Sequence, residues 1–202
     1  MKIVPNANAL SYGIFSITDI GENIDDFEDN SSKTPAFVHT HVNWSPDGGQ
    51  SFINFEQTDP DNEMSMLELA ADVQAQNSVL AISWDPQSID YLDPAVFDGT
   101  YEVPIGLQSI LDGEHDAYIR TVARQVAEYG EPLMMNIFGE SDAASIFGYG
   151  PDGNLFRDTT EDQTGQYGDP TLEDGAERTR DVIRHIIDIF NEEGADNVTW
   201  FQ

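Results

Sequence analysis

The sequence predicts an α/β fold assembled from parallel strands, and three observations carry that prediction. Segments patterned as strands alternate with segments patterned as helices along most of the 202 residues. Helices end at glycine, and the next strand begins within a few residues, as in βα repeats. Hydrophobic residues make up 39% of the chain, enough to fill one sizeable core.

Taken in order, a first strand is predicted over residues 12–17, followed by a mostly acidic stretch at 19–30 that reads as helix or loop. A second strand spans 36–44. The helix at 63–77 places Met66, Leu69, Ala70 and Val73 on one face, and a third strand follows at 79–84. A helix over 116–129 buries Tyr118, Ile119, Val122 and Val126, stops at Gly130, and hands over through Pro132 to a strand at 133–138. The last helix, 174–193, sets Val182, Ile183, Ile186, Ile187 and Phe190 at helical spacing and stops at Gly194, ahead of a strand at 198–202. Two long connections, 85–114 and 141–170, show no internal pattern. Both follow the carboxyl end of a strand, where parallel α/β folds bind ligands.

No internal repeat, proline-rich linker or low-complexity tract divides the chain, so residues 1–202 read as one domain. Five strands and four helices fit a short doubly wound sheet, or part of a closed eight-stranded barrel, which typically needs about 250 residues. On the second reading, downstream sequence or a second polypeptide supplies the missing strands.

Charge excludes several function classes. Asp and Glu number 38 against 8 Lys and Arg, a formal net charge of −30, so a nucleic acid or anionic membrane partner is excluded for want of a cationic surface. The acids are spread along the chain, and only Lys2 and Lys33 are lysines. Such a surface resembles those of proteins from salt-loving organisms, in which molar salt screens self-repulsion. Without cysteine, disulfides, thiolate nucleophiles and Cys-based zinc sites are excluded. No apolar run approaches the roughly 20 residues that cross a bilayer, and residues 1–6 lack the apolar core of a signal peptide. Export is left open, because a removed leader would leave the same sequence.

The run GEPLMMNIFGES at 130–141 delivers a carboxylate, Glu140, just past a buried strand and just before a long loop. Neighbouring aromatic side chains can raise the pKa of an acid so placed and suit it to proton transfer. Trp44, Trp84 and Trp200 fall at or near strand ends, and Phe147 and Tyr149 lie in the loop after Glu140; such rings can stack on sugar faces or simply pack the core. His39 and His41 alternate with apolar residues and therefore share one side of the sheet. No third ligand accompanies them, so they are read as a polar pair facing a barrel interior or a sugar hydroxyl, with no metal. His115 and His185 read as surface or hydrogen-bonded side chains. No glycine-rich phosphate loop or dinucleotide fingerprint follows a strand, and no cofactor is expected.

Several short motifs carry a family resemblance: ILDGEHDAYI at 110–119, the strand ending at Glu140, Ile183-Arg184-His185, GADNVTW at 194–200, and AISW at 81–84. Together they resemble glycoside hydrolase family 26, the β-mannanases, and the likeness covers most of the chain. It implies a (β/α)8 TIM barrel, incomplete in this chain, and a retaining glycosidase acting on a β-linked polysaccharide such as β-1,4-mannan. Glu140 matches the family's general acid/base, and a second carboxylate about 5 to 5.5 Å away would form the glycosyl-enzyme. The family's nucleophile follows the seventh strand, beyond the five read here. Trp44, Trp84, His41, Asn136, Phe147, Tyr149 and Trp200 become candidate substrate contacts. The chain departs from the family by having Asn136 where Arg is usual, Gly139 where His is usual, and no tryptophan in the loop after the acid. Those departures support the alternative of a non-catalytic carbohydrate-binding protein on the same fold.

Overall fold

The computed structural model describes residues 13–15, 20–45, 51–58, 64–90, 101–104, 107–138 and 175–201. In chain order the elements are β1 (Gly13–Phe15), α1 (Ile20–Ser31), β2 (Phe37–Ser45), α2 (Met66–Ala75), β3 (Val79–Asp90), β4 (Tyr101–Pro104), α3 (Leu107–Leu111), α4 (Asp116–Tyr129), β5 (Leu133–Asn136), α5 (Gly175–Glu192) and β6 (Val198–Trp200). Five strands form a parallel sheet in the order β1-β2-β3-β5-β6, and β4 pairs antiparallel with the far end of β3. The sheet is open at β1 and β6 among the described residues: the barrel is not closed.

Alternation along each strand separates two faces. Val38, Val42 and Trp44 of β2, Leu80, Ile82 and Trp84 of β3, and Leu133 and Met135 of β5 are buried against the helices. The helices present the apolar stripes that the sequence pattern assigned them: Met66, Leu69, Ala70 and Val73 of α2, Ile119, Val122 and Val126 of α4, and Val182, Ile186 and Phe190 of α5. The acidic stretch resolves into a helix because Ile20, Ile24 and Phe27 recur at helical spacing, and Ile24 is buried.

Local chemistry fixes the ends. Ser65 and Glu68 form a capping box at the start of α2, each side chain bonding the other's backbone N–H. Such a cap is worth about 1 kcal/mol. Gly130 closes α4 at φ 73°, a left-handed conformation in which a side chain would be strained. Buried Asn197 donates to the carbonyls of Val126 and Glu131, locking the start of β6 to the turn between α4 and β5. Arg120 and Arg124 of α4 bond Glu192 and Glu193 at the end of α5 and tie the two helices together.

The connection at 85–114 differs from the expectation of an unpatterned loop. Strand β3 runs on to Asp90, turns back as β4, and leads into the short helix α3, where Ile110 is buried. The connection at 141–170 lies outside the described residues. His115 and His185 are hydrogen-bonded, to Ser109 at 2.9 Å and to Asp116 at 2.7 Å. Among the described residues, no helix is long and apolar enough to cross a membrane.

Candidate functional site

The face turned away from the helices carries a row of polar side chains. Strand parity puts His39, His41 and Asn43 of β2 there, with Ala81, Ser83 and Asp85 of β3, Met134 and Asn136 of β5, and Thr199 of β6. In register, His41 stands beside Ser83 and Ser83 beside Asn136, so one rung crosses three strands. The bonds run diagonally: His39 Nε2 lies 2.8 Å from Ser83 Oγ, and His41 Nδ1 lies 3.0 Å from Asp85 Oδ2. The two imidazoles sit with centroids 5.3 Å apart, and the Phe201 ring meets His39 edge-on at 5.8 Å.

Burial divides the roles within this row. Ser83 is 0% and Asp85 5% exposed, and Asp85 lies against the half-buried His41. His39 is pushed below the usual imidazole range, chiefly by burial and then by its neighbour His41, with Asp85 opposing. Asn136 is 6% exposed, and its Oδ1 has no hydrogen-bond partner. A buried acceptor left unmade costs about 1–3 kcal/mol. The strands β2, β3, β5 and β6 contain no Lys or Arg. The face therefore offers hydrogen-bond donors and acceptors without a fixed cation, chemistry suited to a neutral, hydroxyl-rich ligand. Among the described residues, no group of three His, Asp or Glu side chains is arranged to hold a metal ion.

The predicted contacts divide by face. His41 and Asn136 stand on the polar face at the two ends of one rung, each paired with Ser83 of β3. The three tryptophans do not. Trp44 and Trp84 are 0% exposed, 4.8 Å apart between centroids, and ringed by Tyr118, Phe55 and Phe190. Trp84 Nε1 donates to Tyr118 Oη at 3.2 Å, and Tyr118 in turn donates to the carbonyl of Ile53. Trp200 packs edge-on against Phe190 of α5 at 5.1 Å and, with Ile137, Ile183, Ile187 and Phe201, lines an apolar cavity of about 150 Å³. The expected role as sugar platforms is corrected for Trp44 and Trp84: alternation turns all three toward the helices, where these two are core and Trp200 is half-buried. Glu140, Phe147 and Tyr149, with Gly139, lie outside the described residues.

Sequence reasoning missed Ser83 and Asp85, although their parity with His39 and His41 was available once the strands were aligned. Just beyond Asn136, Phe138 is buried and holds φ 66°, a left-handed conformation that is strained for an aromatic residue. The chain thus leaves β5 through a sharp turn immediately before Gly139 and Glu140.

No family model and no curated protein matches the chain. Solved structures do. The GH26 domain of the PbGH26-GH5A endo-beta-mannanase/endo-beta-glucanase from Prevotella bryantii matches at TM-score 0.53 and 13% identity, over 96% of this chain and 58% of that one. The structure of Prevotella bryantii endo-beta-mannanase/endo-beta-glucanase PbGH26A-GH5A matches at TM-score 0.50 and 13% identity, over 95% of this chain and 28% of that one. The chain thus spans little more than half of the first of these structures and a smaller share of the second. At such identities the likeness speaks to fold alone, and it agrees with the parallel sheet and helix layer described above: the chain has the α/β architecture of these structures, and among the described residues the barrel is unclosed.

Proposed function

We propose that this chain is the amino-terminal part of a retaining glycoside hydrolase barrel of the family 26 type, acting on a β-linked polysaccharide, a β-1,4-mannan, with Glu140 as general acid/base. The observation that carries the reading is the polar row on the face of a parallel sheet turned away from the helices, ending at Asn136 four residues before Glu140. A carboxylate entering a site beside the carboxyl ends of parallel strands is placed for proton transfer to a glycosidic oxygen. The sheet edges at β1 and β6 favour completion of the barrel by further strands, from downstream sequence or a second chain, and those strands would bring the nucleophile. The net charge of −30 supports an origin in high salt.

Reducing-sugar release from β-mannan in molar salt tests the reading, on the chain extended by any downstream sequence its source encodes. Wild type is expected to release sugar, and Glu140→Gln to lose release by at least a hundredfold while retaining binding. Equal release by both proteins contradicts the assignment. Binding by wild type without release favours the second reading, a non-catalytic carbohydrate-binding protein, which Asn136 and Gly139 in place of the family's Arg and His support.

A further inference from the structure

The cavity of about 150 Å³ beside Trp200 lies between α5 and the carboxyl ends of β5 and β6. All five side chains that line it are apolar. Ile183 and Ile187, one turn apart on α5, form one wall; Ile137 just past β5, with Trp200 and Phe201 at the end of β6, forms the other. Ile137 is buried, whereas the other four are half-buried, so a small solute can reach the space from solvent.

Protein interiors leave few voids larger than a water molecule, because neighbouring side chains close in on them. Here the walls are held from outside. Phe190 braces the Trp200 ring edge-on at 5.1 Å, and the Phe201 ring meets His39 edge-on at 5.8 Å. The Phe201 backbone N–H donates to the Met135 carbonyl at 3.0 Å. Neither ring can swing into the space without giving up these contacts. The two isoleucines are β-branched residues in a helix, where a single χ1 rotamer dominates, so they too are poorly able to fill it.

An apolar space of about this volume accepts one benzene ring and holds water poorly. A sugar suits it badly, since hydroxyls facing hydrocarbon would lose their hydrogen bonds. The formal charge of −30 disfavours an anionic ring. We propose that this cavity is a binding site for one neutral, single-ring aromatic molecule, held by burial and dispersion between the isoleucines of α5 and the rings of Trp200 and Phe201. Such a site is separate from the polar row and stands whether or not the chain binds saccharide.

The test is calorimetric titration of the full chain with benzene in molar salt, alongside thermal melts at the same benzene concentrations. Wild type is expected to bind one equivalent with a Kd of about 1 mM or tighter. Its thermal midpoint should rise by about 2 °C or more as benzene approaches tenfold above that Kd. Ile187→Phe, which fills the space, should bind at least tenfold more weakly and show no such rise. If that variant does not fold by circular dichroism, a wild-type crystal soaked in benzene decides, with density expected between Ile183, Ile187 and Trp200. No heat and no shift for wild type, undiminished binding by a folded Ile187→Phe, or benzene density elsewhere overturns the inference. So does loss of binding in the chain extended by any downstream sequence its source encodes, because a side chain of the protein itself then fills the cavity.

Discussion

His115 shows how a single half-buried side chain sets a measurable property of the whole chain. Its ring packs near Phe52 and Trp44, and burial, opposed by Glu114 and Asp116, holds its pKa below the model-peptide value of 6.5. As pH falls through 6.5 the unfolded chain takes up a proton that the folded chain resists, so this residue removes stability from about pH 6.5 down to its folded pKa. Wild type should therefore lose more stability than His115→Gln between pH 7 and pH 5, measured by denaturant melts at fixed high salt. Equal losses would contradict an imidazole held toward neutrality by its partial burial. Residue-scale chemistry was partly legible: the pairing of His39 with His41 followed from alternation alone. Trp44 and Trp84 were misassigned because position near a strand end says nothing about face, whereas the odd steps from His41 to Trp44 and to its neighbours place those rings on the side opposite the histidines.

Among the elements, those with a strong apolar period were the most legible. Helix α4 has the predicted limits, because Asp116 opens it and Gly130 ends it in the left-handed conformation. The helix over residues 20–31 was ambiguous, since its apolar residues are only Ile20, Ile24 and Phe27 among acids and amides, and its burial comes from the sheet. The hairpin of β3 with β4 was missed because Pro86 and the polar residues that follow break the apolar run at Trp84, although the backbone pairing continues to Asp90. The polar face could be foreseen only in part. Ser83 and Asp85 acquire meaning from the register that sets Ser83 beside His41 and Asn136 and Asp85 diagonally from His41, and register is a property of paired strands.

For the molecule as a whole, charge and architecture make separate demands. A formal charge of −30 on 202 residues opposes compaction, and the cations with described partners, Arg120, Arg124, Arg180 and Arg184, sit on helices bound to nearby acids. Salt shortens the range of this repulsion from about 10 Å at 0.1 M to 3 Å at 1 M. The thermal midpoint should accordingly rise by 10 °C or more between 0.1 M and 2 M sodium chloride, and a midpoint that falls with salt would contradict a surface adapted to it. The central claim is that the polar face of the sheet, and not the tryptophan-rich face, receives the sugar. Its most direct measurement is a crystal structure of the chain grown in molar salt with β-1,4-mannotriose. The account predicts electron density for a sugar on the polar side, at the carboxyl ends of the parallel strands; an ordered sugar on the helix-covered side against Trp200, with the polar side bare, would contradict it.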